Sequence, residues 1–334
     1  MPGRVLTAPT GAPHATLLGL GAYRPRRVVP NAEVVEAIDS SDEWVQQRSG
    51  IKERRFASPD ETVQMMAVAA SRQALEQAGV AAAEIDCVVV ATVSHLVQTP
   101  AVAALVAHEL GSQGAAFDLS AACAGFCHGV ALAADMVRGG SARHVLVVGV
   151  ERLSDITDPT DRGTAFIFAD GAGAVVVGPG EADGVGPVVW GSDGARADLI
   201  RSREDWRDVL ASESPRMPHL VMQGNEVFRW AAFTMAGVAS EALERAGLTP
   251  DDLDLFVPHQ ANMRITDAMA RAMKLPAHVR IARDVAEQGN TSAASVPLAL
   301  DRLVRDGDAR SGDTALLVAF GAGLAYAAQV VTVP

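Results

Sequence analysis

Aromatic residues are scarce in this chain. They make up 4% of 334 residues, with two Tyr, four Trp and nine Phe, against 49% hydrophobic residues in all. A core poor in rings has to be built from Ala, Val and Leu, which suits helices packed closely on a buried sheet. Positive charge is also short, with 28 Lys and Arg against 40 Asp and Glu and a net charge of −12. Nucleic-acid binding domains need a strongly basic surface, so that function class is excluded. Lysine is nearly absent: only Lys52 and Lys274 occur, a matter of codon usage rather than of chemistry. Three cysteines cannot build a disulfide framework, and the odd count argues against an oxidising compartment. No apolar run approaches the roughly 18 residues of a membrane-spanning helix, because Gly, Asp or Arg interrupts every candidate. The segment Met1–Pro13 is broken by Pro and Gly and lacks the apolar stretch of a signal peptide. A charged fraction of 20% beside so many apolar residues excludes disorder for the bulk of the chain. The expectation is a cytoplasmic protein of about two units, or one large α/β body, at roughly 100–200 residues per domain.

What is present is an internal repeat. ALEQAGVAAAEID at 74–86 resembles ALERAGLTPDDLD at 242–254, an offset of 168, and VRGGSAR at 137–143 resembles VRDGDAR at 304–310, an offset of 167. Each member precedes an apolar strand: Cys87–Thr92 and Leu255–Pro258 for the first pair, Val145–Val148 and Ala315–Val318 for the second. The repeated unit is therefore built from helix and buried strand. The seam is placed at 178–187, where GPGEADGVGP is rich in glycine, proline and acid. The expected division is 1–178 and 187–334, two halves of one body with pseudo-twofold symmetry, and the charged stretch Asp193–His219 reads as an insertion or lid.

Three polar residues stand where chemistry is usually placed. Cys123 follows a strand ending at Phe117–Leu119 and precedes a helix expected over Ala124–Val137. A helix N-terminus stabilises thiolate, although a free cysteine is more often a small buried hydrophobe. Shifting Cys123 by 167 residues gives Asn290, again in a small-residue turn before a helix, so the two are expected at symmetry-related positions. Asn there also suits an N-cap or a left-handed turn. His259 follows the strand of LDLFVPHQANMR, at the strand end where α/β folds place ligands. Cys87, Cys123 and Cys127 lack paired zinc-ligand spacing, so no metal is expected.

AACAGF around Cys123, VPHQAN around His259 and GNTSAAS around Asn290 together resemble the β-ketoacyl-ACP synthase III family of the thiolase superfamily. The resemblance extends over SSDEWVQQRSGI at 40–51, DPTDRGTAFIFADGAGA at 158–174, GNEVFRWA at 224–231 and AFGAG at 319–323, and so covers nearly the whole chain. It implies the five-layered αβαβα thiolase fold and a homodimer. It also implies an initiating decarboxylative Claisen condensation: acyl-CoA and malonyl-ACP give β-ketoacyl-ACP, CO₂ and CoA, priming fatty-acid or aromatic-polyketide synthesis, with no cofactor beyond the acyl-CoA substrate. Two other readings remain: a different thiolase-fold acyl-CoA enzyme, such as a thiolase or a hydroxymethylglutaryl-CoA synthase, or a non-condensing acyltransferase. A thiolase needs a second catalytic cysteine in a C-terminal glycine turn, which Cys87 and Cys127 do not supply. The synthase uses an acidic general base with no evident place in this sequence.

Carried over by motif, Cys123 is the acylated nucleophile, and His259 and Asn290 handle the malonyl thioester. Backbone N–H groups of Cys123 and Ala322 form the oxyanion hole, in a turn where relatives often have three glycines and this chain has Gly321-Ala322-Gly323. Trp44 and Arg162 flank the CoA adenine, Arg48 meets its phosphates, and Asn225 and Phe228 line the pantetheine tunnel. An acidic carrier protein would meet Arg229, Gln260, Arg264, Arg271 and Lys274, the last three of these expected on one face of a helix. The resemblance also places a loop, VSHLVQTPAV at 93–102, against the partner subunit's starter pocket. Thr99 stands there in place of the phenylalanine of acetyl-preferring relatives, which implies room for longer primers.

Overall fold

The structure, a computed structural model, describes residues 6, 7 and 9–334. The expectation for Met1–Pro13 therefore falls partly outside the described residues. Fourteen strands form in chain order: β1 (Ala15–Tyr23), β2 (Arg27–Pro30), β3 (Glu53–Phe56), β4 (Cys87–Ala91), β5 (Ala115–Leu119), β6 (Val145–Arg152), β7 (Asp170–Pro179), β8 (Val189–Ser192), β9 (Ile200–Ser202), β10 (Leu220–Met222), β11 (Leu255–Pro258), β12 (Arg280–Ile281), β13 (Thr314–Phe320) and β14 (Ala325–Thr332). Ten of them make two five-stranded sheets with the same plan. The first runs β1-β7-β6-β4-β5 and the second β8-β14-β13-β11-β12. In each, the first two pairings are antiparallel and the last two are parallel. The remaining four form two antiparallel two-stranded sheets, β2–β3 and β9–β10.

Valine and alanine build the sheets for the reason set by composition. Strands β4 and β6 are buried on both faces, so they read as continuous apolar runs rather than alternating ones. Two helices, Gly125–Gly139 and Ser295–Arg305, lie between the sheets and share one core with inward residues of both, among them Val89, Val147, Val257 and Leu317. Outside the first sheet pack Val63–Ala78 and Val102–Leu110. Outside the second pack Gly224–Arg245 and Met263–Ala272. The layers are thus α, β, α, β, α. Each fully buried Val or Leu of the central layer contributes about 1.5–3 kcal/mol of transfer free energy, so many small side chains replace the few large rings that the chain lacks.

Residues 180–188 connect the sheets and are held in place: Gly184 N–H donates to Ala15 and Thr332 N–H donates to Gly184, both at 2.9 Å. The stretch after Asp193 leaves the second sheet, forms β9, a short helix Trp206–Ala211 and β10, and its Ile200, Trp206 and Leu220 line a cavity beneath it.

The symmetry corrects one expectation. Ala122 and Ser292 both adopt φ 47°, each opening a 3-10 turn (Ala122–Ala124 and Ser292–Ala294) that leads directly into a central helix. The offset there is 170, so Ala293, and not Asn290, is the counterpart of Cys123. The left-handed Gly140 and Gly307 after the helices stand 167 apart, because the first helix is the longer one, 15 residues against 11. An offset read at the helix ends therefore misses by three at their beginnings.

Candidate active site

Strand β5 ends at Leu119 and the turn Ala122–Ala124 places Cys123 just ahead of the central helix. Cys123 is half-buried, whereas Cys87 and Cys127 are buried. It lines a cavity of about 610 Å³ together with Ala122, Phe168, Ser292 and Ala322. Because that cavity is deep, burial pushes the thiol up to about 12, outweighing the stabilisation expected from the helix start. The open surface of Cys123, rather than a standing thiolate, is what separates it from Cys127, which burial also raises to about 12.

The turn after β13 closes against the nucleophile. A Cβ on Gly321 would lie 2.6 Å from the Cys123 amide nitrogen, so no side chain fits there. The left-handed conformation falls on Gly323, φ 122°. Ala322 carries neither demand, which explains how alanine replaces a glycine in this turn.

His259 follows β11 and is 3% exposed. Its ring meets Phe320 edge-on at 5.4 Å, and Nδ1 is 2.6 Å from Ser295 Oγ. That hydroxyl accepts from Gln260 N–H at 3.4 Å, so its own proton is directed to Nδ1. The tautomer assigned by this pattern carries hydrogen on Nε2. Burial lowers the imidazole to about 3, so it is neutral and Nε2–H is a donor. Asn290 Oδ1 accepts from Ser292 N–H at 2.8 Å, and its backbone is clamped by Ile167 O (2.9 Å) and Ala169 N–H (2.8 Å). With Oδ1 committed, Nδ2 remains as a donor. His259 is tied to the Asn290 turn through Ser295, its anchor, which begins the helix that follows that turn. Phe320 and Gly321 join His259 to Cys123 from the third side.

A second cavity, about 430 Å³, is lined by Trp44, Arg48, Arg162, Asn225, Phe228 and Asn290. The Arg162 guanidinium lies over the Trp44 ring at 5.0 Å and that of Arg48 at 5.6 Å, within cation–π range. Arg264 lies over Phe228 at 5.0 Å at the same mouth. The segment 290–292, with Phe168 paired to Asn290, forms the wall that this cavity shares with the first.

The carrier-facing expectations divide. Arg264 and Arg271 lie on the helix Met263–Ala272, both exposed. Lys274 is not on that helix: it lies past the helix end, with φ 54°. Gln260 is 1% exposed; its amide donates to Pro258 O at 2.6 Å and accepts from Val285 N–H at 3.1 Å. It fastens the loop under His259 and is not a surface contact. Arg229 is exposed but paired with Glu226 at 2.9 Å. Thr99 is exposed and lies outside its own chain's cavity, in a loop whose Leu96 and Val97 are 50% and 54% exposed.

Two functional side chains escaped the sequence reading. Ser295, the last residue of GNTSAAS, sets the His259 tautomer. Glu151 is the last residue but one of the valine-rich strand β6 and has no exposed surface, and an acid in such a run is a signal that could have been read. Its Oε2 accepts from Ser94 Oγ at 2.5 Å and from Thr92 Oγ1 and Val93 N–H, both at 3.1 Å. Burial raises this carboxyl to about 7.

Among the described residues no cluster of His, Cys, Asp or Glu could hold a metal, and no helix is long and apolar enough to cross a membrane.

Residues 117–194 match the family 3-oxoacyl-[acyl-carrier-protein (ACP)] synthase III, and residues 243–333 match its C-terminal counterpart. β-Ketoacyl-[acyl-carrier-protein] synthase III 1 of Streptomyces coelicolor is 57% identical, over 97% of this chain and 98% of that protein. The synthase III of Mycobacteroides abscessus is 55% identical, over 97% and 96%. Among solved structures, the priming β-ketosynthase of the R1128 polyketide biosynthetic pathway superposes with a TM-score of 0.96 at 52% identity, covering 99% of both chains. The thiolase-type layering, the paired cavities and these relatives agree: the chain belongs to the β-ketoacyl-[acyl-carrier-protein] synthase III family, and is an acyl-transferring condensing enzyme.

Proposed function

We propose that Cys123 takes an acyl group from acyl-CoA and that His259 and Asn290 then direct decarboxylative condensation with malonyl-ACP. The observation that carries this reading is a pair of buried side chains, each with one polar atom committed and one donor left over, beside a half-open thiol. Loss of CO₂ from the malonyl group leaves an enolate, and its oxygen is met by His259 Nε2–H and Asn290 Nδ2–H, which are fixed in place before the reaction begins. The enolate carbon attacks the Cys123 thioester, whose oxyanion is held by the amides of Cys123 and Ala322. No metal or redox step enters this chemistry. The CoA adenine stacks between Trp44 and Arg162 with phosphates near Arg48, and the pantetheine arm runs past Phe228 and Asn225 to Asn290.

The product primes a carrier-bound chain of fatty-acid or aromatic-polyketide type. The enzyme works as a homodimer in the cytoplasm, with the exposed Thr99 of one protomer at the deep end of the other's 610 Å³ cavity, while Leu96, Val97 and Gln98 of the same loop line the cavity of their own chain. A threonine in place of an aromatic ring leaves space, and each buried methylene contributes about 0.8 kcal/mol, close to fourfold in binding. The test is competition among equimolar acetyl-, butyryl-, isobutyryl- and hexanoyl-CoA with malonyl-ACP, read as β-ketoacyl-ACP products and CO₂. The expected result is CO₂-linked product in which primers longer than acetyl dominate, with the preference moved towards acetyl in Thr99→Phe. Absence of condensation product overturns the reaction, and a strong acetyl preference in the wild type overturns the role of Thr99.

A further inference from the structure

Behind the nucleophile lies a buried acid that the condensation chemistry does not use. Glu151 Oε2 receives three hydrogen bonds, while Oε1 has none, and the hydroxyl of Ser292 (3% exposed) likewise has no completed hydrogen bond among the described residues. Ser292 nevertheless lines the same cavity as Cys123, on a turn that packs against both the Cys123 turn and strand β6 of Glu151, where its hydroxyl favours the charged form of both groups against the larger, raising effect of burial. A hydroxyl close to two groups and fully bonded to neither can turn to serve either. It is kept there by its left-handed backbone, φ 47°, a conformation that a non-glycine residue rarely adopts. The surroundings leave Glu151 few other partners. Its strand neighbour Arg152 is paired with Asp155 at 3.1 Å. Asp170, on the adjacent strand, is held by Ala57 N–H and by Ser154. Asp118 accepts from Val102 and Ala103 N–H groups. Of the other titratable groups on the cavity wall, Arg201 is paired with Asp198 at 3.6 Å, and Cys123 and His95 remain.

We propose that Glu151 is the proton reservoir of Cys123, acting through Ser292. As Cys123 Sγ bonds to the acyl carbon and the carbon–sulfur bond to CoA breaks, the thiol proton passes to Ser292 Oγ and the Ser292 proton passes to the Glu151 carboxylate. CoA leaves as thiolate and is protonated by solvent. In the condensation the new carbon–carbon bond expels Sγ as thiolate, and Glu151 returns its proton along the same path. The acid therefore starts and ends the cycle ionised and is neutral in the acyl-enzyme. A carboxyl that titrates near 7 suits this exchange, because a base works best with its pKa near the working pH. Glu151 touches no substrate and is a positioning residue for the proton.

This inference rests on the proposed role of Cys123, and the experiment separates the two. Acylation of Cys123 by acyl-CoA, without malonyl-ACP, is followed by intact mass in single turnover from pH 5.5 to 9. The wild type is expected to accelerate through an inflection near 7, about tenfold per pH unit below it. Glu151→Gln should lose the inflection and acylate about 100-fold more slowly, in the range of general-base effects. Its decarboxylation of malonyl-ACP should persist, and Glu151→Asp should recover the inflection. Ser292→Ala should lose the inflection with Glu151 still in place, which decides the matter if Glu151→Gln does not fold. A wild type without an acyl adduct on Cys123 overturns the proposed function. An adduct formed with the wild-type pH profile in Glu151→Gln, or in Ser292→Ala, overturns the reservoir alone.

Discussion

The turn Ala122–Ala124 and the turn Ser292–Ala294 share one backbone, yet only the first carries a nucleophile. Both open with a residue at φ 47°, both lead straight into a central helix, and they touch across the pseudo-twofold axis. Their difference lies in what stands at equivalent places: Cys123 against Ala293, and Ala122 against Ser292. The same backbone pose thus carries different side chains, a thiol on one turn and, on the other, the hydroxyl proposed to pass its proton, two residues after the asparagine proposed to meet the enolate.

The comparison is broken most severely by moving the thiol. Cys123→Ala should abolish acylation, a loss on the order of 10⁴-fold or more, as for removal of other covalent nucleophiles. Adding Ala293→Cys to that variant places a thiol in the same backbone pose and should not restore it, because Ala293 has no exposed surface. Mass spectrometry of the two variants with acyl-CoA checks both statements. If the double variant is acylated, pose rather than access decides reactivity.

Next in size are the enolate donors. His259→Ala and Asn290→Ala should each lower condensation by about 10²–10³-fold, the usual loss for an oxyanion donor, while still allowing Cys123 to be acylated. The pH dependence sharpens the point. The folded His259 titrates near 3 instead of 6.5, so its neutral form persists throughout the working range, and the decarboxylation rate should show no inflection between pH 5.5 and 8. The cost falls on stability: it is absent above pH 6.5 and grows as pH falls towards 3, since only the unfolded chain takes up the proton. A decarboxylation inflection near 6.5 that His259→Ala removes would show that the ring is not held neutral.

The third effect is of opposite sign to the usual mutation. Glu151 titrates near 7 folded and 4.5 unfolded, so burying its charge costs nothing below pH 4.5 and about 3 kcal/mol above pH 7, at 1.36 kcal/mol per unit. Glu151→Gln keeps an oxygen for the three donors and removes the charge. It should therefore melt higher than the wild type at pH 8, by a few degrees, and no higher at pH 5. Equal melting temperatures at both pH values would mean that the carboxyl is not ionised in the fold.

Much of this frame was legible before any coordinates. Strand β11 begins and ends at the expected Leu255 and Pro258, and β5 ends at Leu119 as expected, because continuous apolar runs bounded by polar turns mark buried strands. The motif residues Cys123 and Asn290 stand on turns in contact with each other, and His259 packs on Phe320 next to the Gly321 that abuts Cys123. What escaped the sequence depends on three-dimensional packing. The symmetry offset of Cys123 is three residues off because a helix-length difference is invisible where the repeat is measured at its end. Gln260 reads as polar and therefore exposed, whereas its amide is used to fasten the chain beneath His259. Lys274 reads as helical because 3.6-residue spacing cannot show that the helix stops at Ala272. Glu151 lies beyond the strand expected at Val145–Val148, and its hydrogen bonds to Thr92, Val93 and Ser94 are what reveal it as a buried acid.

The smallest expected effect concerns the outer face, where the contrast between paired and unpaired arginines can be tested. The chain is acidic overall, so an acidic carrier has to be met by local positive charge, and charge at a rim acts mainly on encounter. Arg264 and Arg271 are seven residues apart on the helix Met263–Ala272, nearly two turns, and so share a face. Neither has an ion-pair partner among the described residues, whereas Arg229 gives its charge to Glu226 at 2.9 Å. Reversing Arg264 or Arg271 to Glu should raise KM for malonyl-ACP about tenfold, equivalent to ~1.4 kcal/mol, and the increase should shrink as salt is added. Arg229→Glu should change it by about twofold, since an exposed pair is worth little. Arg271 lies off the 430 Å³ cavity, so its reversal should leave KM for acyl-CoA unchanged. Equal losses for both substrates in Arg271→Glu would mean that the face is structural, and an Arg229 effect as large as that of Arg264 would mean that pairing in the free enzyme does not withhold the charge from the carrier.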